Sequence, residues 1–279
     1  MRSHKMNNAL AKRSGRNVTF KTDLTGAAAF WPPLKKVTTI LAVSICLLST
    51  LYSQPNGNEI LRRIDETMTS DTKIVVSKMI IHGRRSTRTI VVKSWIQGED
   101  KSFSEYLAPA REKGTKMLKL GDQLWTYSPQ TDRTIRISGH MLRQSLMGSD
   151  LSYEDMMEDS RLQNSYKATI IGEEAILGRP CWIVQLEAIK SDVAYHKRKI
   201  WVDKERYLVL RGERYAKSGK LLKTTTVDKI ERISGRWVVT SATFKDQLLS
   251  GKGTQFIIDS IEFNPTIPGY IFSRAALKK

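Results

Sequence analysis

The side chains able to do covalent or metal chemistry are few and scattered. Four histidines, His4, His82, His140 and His196, stand at spacings that suit no shared metal ion. Two cysteines, Cys46 and Cys181, exclude a disulfide scaffold and a four-cysteine zinc site. Ser145 lies near His140, but spacing alone makes no nucleophile and base of them. The sequence has no Gly-x-Ser-x-Gly elbow, His-Glu-x-x-His, phosphate loop or dinucleotide fingerprint. The expectation is a protein that is not an enzyme and carries no cofactor or metal. Glu154, Asp155, Glu158 and Asp159 offer oxygen ligands to a hard cation, yet their spacing suits a helix face turned to water, and that is the expected role.

A different chemistry is better supplied, that of sheltering an apolar ligand. Met141, Met147, Met156 and Met157 fall in one segment with Leu142, Leu146 and Tyr153. Methionine's flexible thioether adapts to a mobile acyl chain. Each methylene withdrawn from water contributes about 0.8 kcal/mol, so ten or more supply most of a binding energy. The same side chains would serve equally to close a dry core, and both readings stand.

Elements to position them are legible on either side. Asn56 or Asn58 can cap a helix running to about residue 68, with Ile60, Leu61, Ile64 and Met68 on one face. The period then changes to two. Segments near 71–82, 86–97, 101–108, 115–120, 123–128 and 133–138 read as strands, rich in Val, Ile, Thr and aromatics. Residues 139–160, which hold the methionines, have helical spacing. Strands resume near 166–173, 180–190, 197–203, 206–215, 220–231, 236–245 and 254–263, with turns at Ser218-Gly219, Ser234-Gly235 and 250–253. In 236–245 both faces carry apolar side chains, Trp237 and Val239 on one and Val238 and Phe244 on the other. A sheet this wide closes or curls. The expected fold is mainly β with helices (α+β), a curved antiparallel sheet with helices packed in its concavity, in one domain.

Charge separates this body from what precedes it. The 279 residues hold 46 Lys and Arg against 28 Asp and Glu, a net charge of +18 that invites a nucleic-acid reading. Eight of the basic residues and one acid, Asp23, lie within residues 1–36, and residues 37–53 carry no charge. A basic flank, an apolar run of about ten residues and small polar residues before Gln54-Pro55 read as a signal peptide over 35–53. The alternative, a retained anchor, has less than the ~20 apolar residues of a spanning helix. Cys46 follows Ile45 inside the run, which disfavours a lipoprotein signal. Residues 1–34 form a basic extension that an alternative start near Leu34 would leave untranslated. Residues 54–279 then carry 38 basic and 27 acidic residues, a net charge of +11, with Cys181 as their one cysteine. An exported protein does not meet nucleic acid, and no recognition motif is present.

Three ordered pieces carry a family resemblance. They are Pro109-Ala110-Arg111-Glu112-Lys113-Gly114-Thr115-Lys116-Met117-Leu118, then Leu124-Trp125-Thr126-Tyr127-Ser128-Pro129, then Leu146-Met147-Gly148-Ser149-Asp150-Leu151-Ser152-Tyr153-Glu154-Asp155-Met156. Together they resemble the outer-membrane lipoprotein-sorting family, the LolA-like periplasmic proteins, over roughly residues 57–275. The resemblance implies an incomplete β-barrel of about eleven strands with a helical lid. It also implies an apolar cavity for lipoprotein acyl chains or lipid, formed by Trp95, Met117 and Trp125 on the strands with the Met-rich lid residues. The implied partners are an inner-membrane exporter and an outer-membrane acceptor, and the implied state is a periplasmic monomer. A lipid- or lipoprotein-sensing regulatory module is the alternative on the same fold, and an envelope protein with a dry barrel is a third reading. Within the motif Gly148, Ser149, Asp150, Tyr153, Glu154 and Asp155, the glycine permits a tight bend. Ser149 and Asp150 are expected to cap a helix beginning near Leu151 or Ser152. Arg84, Arg85, Arg88 and the run His196-Lys197-Arg198-Lys199 would either meet anionic headgroups or an acidic partner, or guard edge strands from aggregation.

Overall fold

The computed structural model describes residues 55–68, 70–158 and 161–279. The expected extension (1–34) and signal peptide (35–53) lie outside them. The described residues begin with helix α1 (Gly57–Met68). Then come strands β1 (Thr72–His82), β2 (Thr87–Gln97), β3 (Lys101–Ala108), β4 (Lys116–Leu120), β5 (Gln123–Ser128) and β6 (Arg133–Ile137). After a connector, the chain forms β7 (Tyr166–Ile176), β8 (Arg179–Ala188), β9 (Lys197–Asp203), β10 (Val209–Tyr215), β11 (Leu221–Ile233), β12 (Arg236–Asp246) and β13 (Gly253–Phe263).

All thirteen strands form one sheet in the order β6-β5-β4-β3-β2-β1-β13-β12-β11-β10-β9-β8-β7. The chain runs one meander outward from β1 and a second inward to β13. Antiparallel pairing of β1 with β13, from Lys73 opposite Phe263 to His82 opposite Gly253, joins them at the centre. β6 and β7 remain as edges, so the sheet is unclosed, with thirteen strands where about eleven were expected.

The sheet curls, and Ile64 of α1 shows it. This side chain packs in a buried cluster with Ile200 and Val202 of β9 and Trp182 of β8, and it also lines a cavity with Val75 of β1. Five strand spacings separate β9 from β1, roughly 24 Å in a flat sheet at about 4.8 Å each. One isoleucine reaches both only if the sheet wraps around the helix. Register shifts in β1, β2, β7, β10 and β11 supply local bends.

Helix α1 forms as its sequence predicts. Asn56 caps it, accepting from the Glu59 amide at 2.9 Å, while Ile60, Leu61 and Ile64 are wholly buried. Asn58 instead accepts from the Ala168 amide at 3.0 Å on edge strand β7. A Cβ at position 57 would collide with the Ala168 backbone, so only glycine allows this close seating.

The connector, 138–165, links one sheet edge to the other, and its side chains pack on the inner face, the face that α1 also covers. It departs from the expected helical stretch. Three short 3₁₀ turns (Gly139–Arg143, Leu146–Gly148 and Leu162–Asn164) flank one brief α-helix, α2 (Tyr153–Met157). Left-handed backbone at Gly139 (φ 55°), Met147 (φ 50°) and Gly148 (φ 70°) interrupts any longer helix. On the outer face of β3–β5, the C-terminal turns Gly269–Phe272 and Arg274–Lys278 bury Phe272 and Leu277 against Phe103, Leu118 and Trp125.

Candidate functional site

The connector is pinned to the sheet by polar groups that sequence spacing placed elsewhere. The cap of α2 is Ser152, which accepts from the Asp155 amide at 3.3 Å while Asp155 accepts from the Ser152 amide at 2.7 Å. Ser149 and Asp150 do not cap it. Asp150 is buried and reaches across to the sheet, accepting from the Thr254 hydroxyl and the Asp246 amide, each at 2.9 Å. The expected water-facing acidic patch is likewise replaced by ion pairs. Asp155 accepts from Lys223 of β11 at 2.5 Å and from the Tyr195 hydroxyl at 2.7 Å, and Glu158 pairs with buried Arg198 of β9. Asp159 lies outside the described residues. Among the described residues no cluster of three or more His, Cys, Asp or Glu is placed to hold a metal ion.

Burial by itself would push the Asp155 carboxyl up, but the Lys223 ammonium and the bonds from Ser152 and Tyr195 outweigh it. The group sits below the ordinary carboxylate range. Burial first, then the Asp155 charge, drives the Tyr195 phenol upward, which keeps it a neutral donor.

The ten residues expected to line the apolar cavity divide between the two faces. Met117, Met141, Leu142, Leu146, Met147, Tyr153, Met156 and Met157 come together on the inner face against Met79, Ile90, Val92, Tyr106 and Leu124. Trp95 and Trp125 lie on the outer face in the cluster covered by the C-terminal turns. Side chains alternate along a strand, and Trp95 sits one residue from the inward Ser94 and Ile96, so its face is fixed.

An open apolar space lies beside these residues, in the other half of the inner face. A cavity of about 400 Å³ opens between α1 and the central strands. Val75 of β1, Ile96 of β2, Ile258 and Ile261 of β13, and Trp237 and Val239 of β12 form its walls, with Ile64 of α1 above. Most of these walls are only half-buried, unlike the residues beneath the connector. The volume falls at the lower end of the 300–1,000 Å³ usual for small-molecule sites. Lys73 and Arg236 stand at the mouth, which merges with an open groove carrying Arg62, Asp65, Arg161 and Arg206. Burial, and then the nearby Arg236 charge, lowers the Lys73 pKa. Arg206 is not available as a loose cation, because it lies 4.5 Å over the Trp237 ring and 3.4 Å from Asp203.

None of the ten expected residues touches this cavity. The signal that could have found it was the apolar character of both faces of 236–245. A strand buried on one face needs no Trp237 and Val239 opposite Val238 and Phe244.

A family model whose description reads "-like: Uncharacterized protein" matches residues 98–279. No curated protein sequence matches the chain. Among solved structures, a DUF1329 family protein from Desulfovibrio piger is similar at 27% identity and a TM-score of 0.74, covering 79% of this chain and 97% of its own. A structure described as an outer-membrane lipoprotein-sorting protein domain from Vibrio parahaemolyticus shows 23% identity and a TM-score of 0.72, covering 80% and 98%. A LolA superfamily protein from Nitrosomonas europaea shows 23% identity and a TM-score of 0.67, covering 80% and 100%. The fold is thus the unclosed, LolA-like sheet that the sequence motifs resemble.

Proposed function

The chain belongs to the family whose model matches residues 98–279, and from that premise and its LolA-like fold we propose that it is a carrier which shields acyl chains of lipoproteins or lipids. The observation that carries this reading is the 400 Å³ cavity with half-buried apolar walls and an open mouth. Apolar surface is left in this state when something else is meant to cover it. At about 0.8 kcal/mol per methylene, an acyl chain laid against these walls gains binding energy without any catalytic group. The protein works by differential shelter, not by chemistry on its cargo.

In this reading residues 35–53 export the chain to the periplasm of a double-membraned bacterium. There residues 54–279 act as a monomeric domain, taking cargo from an inner-membrane exporter and yielding it to an outer-membrane acceptor. Helix α1 forms one wall of the site, and the methionine-rich connector seals the packed half beside it.

The test is to purify the protein from cell envelopes and analyse co-purifying material by mass spectrometry. Lipid or acylated protein in near-stoichiometric amount is the expected result. Its consistent absence, together with no binding of an added fluorescent fatty acid, defeats the proposal.

A further inference from the structure

Antiparallel pairing collects alternate turns at each end of the sheet. The cavity mouth, with Lys73, Arg236 and Phe263, is at one end. At the opposite end lie the turns 83–86 (β1–β2), 216–220 (β10–β11) and 247–252 (β12–β13). They are neighbours, since the Lys252 amide donates to the His82 carbonyl at 2.9 Å and the Gln247 amide to the Leu222 carbonyl at 2.8 Å.

These three turns contain Arg84, Arg85, Lys217, Lys220 and Lys252, all exposed, and no acidic residue. The other loops at this end, 109–115, 129–132 and 189–196, mix charges and carry Glu112, Asp132 and Asp192, and the mouth-end turns carry Glu99, Asp100, Asp122 and Glu205 with Lys204 and Arg206. Arg88 does not belong to the exposed set, because it donates to the Met147 carbonyl and lies 3.7 Å from Glu112. Arg198 is likewise spent inside the fold. The three neighbouring turns 83–86, 216–220 and 247–252 thus form one exposed basic patch with no acid among them.

Amid these cations two leucines project into water. Leu248 is 61% exposed and Leu249 43%. The loop holding them is built, not loose. Asp246 accepts from the Leu248 amide at 2.8 Å, and the Lys245 ammonium reaches the Leu249 carbonyl at 2.5 Å. Gly251 follows at φ 135°, where a Cβ would lie 2.8 Å from the His82 carbonyl oxygen. The fold spends a glycine and two polar anchors to hold apolar side chains outward.

We propose that this end docks on an anionic lipid bilayer, with Leu248 and Leu249 entering the headgroup boundary and the five cations meeting lipid phosphates. A basic ring around a small apolar tip is the combination that interfacial binding requires, since neither charge attraction nor two leucines alone holds a protein at the surface. Docking at this end leaves the cavity mouth facing away from the membrane, open to a soluble or membrane-spanning partner. The inference goes beyond the carrier reading and does not depend on what fills the cavity.

The test uses the full chain with Cys46→Ser and an environment-sensitive fluorophore on Leu248→Cys, and a second protein labelled at Leu177→Cys at the mouth end. Vesicles of phosphatidylglycerol mixed with phosphatidylcholine should shift and brighten the probe at position 248 and leave that at 177 unchanged. Replacing Arg84, Arg85, Lys217, Lys220 and Lys252 together by Gln should weaken the response at 248 at least tenfold, as should 0.5 M salt, which shortens the Debye length to about 4 Å from about 8 Å at physiological ionic strength. Binding of a fluorescent fatty acid in the cavity should be unaffected by those five changes, so loss of one activity is distinguishable from loss of the other. No response at 248, an equal response at 177, or a response to polyglutamate but not to vesicles overturns the proposal.

Discussion

The two halves of the inner face have walls of the same kind and opposite fates. Under the connector, Met79, Ile90, Met117 and Leu124 are at most 3% exposed, sealed by four methionines, three leucines and a tyrosine from one segment. Beside α1, Val239, Ile258, Ile261 and Phe263 are only half-buried around open space. The strands do not explain the difference, because β1, β2 and β13 contribute to both halves. The covers do. The connector bends repeatedly and can press irregular, adaptable side chains into every gap. Helix α1 is straight, turns Ile60 and Leu61 to β7–β9, and offers the cavity little beyond Ile64 and Thr67. A half-filled concavity results, packed where the chain must hold together and vacant where cargo would lie.

That contrast can be broken most severely at the ion pair that fastens the connector. Asp155→Asn removes the nearer of the two carboxylates that face buried Lys223 and leaves only Asp246, 3.9 Å away; breaking a buried pair costs up to about 3–5 kcal/mol. The expected readout in urea unfolding is a large fall in midpoint. Leu146→Ala, in the packed half, should cost about 2–5 kcal/mol as a buried leucine replaced by a cavity does. Ile258→Ala, on a half-buried wall of the open half, should cost about 1 kcal/mol or less in the same experiment, since little packing is lost. Equal losses at 146 and 258 would mean that the two halves are equally filled.

A smaller effect concerns acidity. Asp155 titrates below its unfolded value, so it stabilises the fold fully above the ordinary carboxylate pKa of about 3.9, and that contribution disappears as pH falls through the lower folded value. Wild-type stability should therefore decline below about pH 4, and the decline should be shallower in Asp155→Asn. Parallel pH profiles would remove Asp155 from the account.

Much of the architecture was legible because it is written in local alternation. Every strand of the sheet coincides with a period-two segment, and α1 has both its cap, Asn56, and its buried stripe in sequence. The connector was not, because a left-handed Met147 and two left-handed glycines override helical spacing. Asp150 and Asp155 misled for a related reason. Their partners, Thr254 and Lys223, are 104 and 68 residues away, so local pattern reads them as a cap and a wet face. Alternation also says that Trp95 and Ile96 point apart without saying which is inside. The C-terminal turns, by covering Trp125 and Phe103, decide that. The cavity was least legible, since it is a space bounded by the pairing of β1 with β13, ends of the chain some 180 residues apart.

The most direct test titrates a fluorescent fatty acid into the full chain and two variants whose thermal stability is measured alongside. Val239→Trp fills the open half, and Met156→Ala loosens the packed half. The account predicts that Val239→Trp weakens binding at least tenfold with little change in Tm, and that Met156→Ala lowers Tm while binding stays within about threefold, a difference of roughly 0.7 kcal/mol. Loss of binding in Met156→Ala with full binding in Val239→Trp would place the ligand under the connector and contradict it.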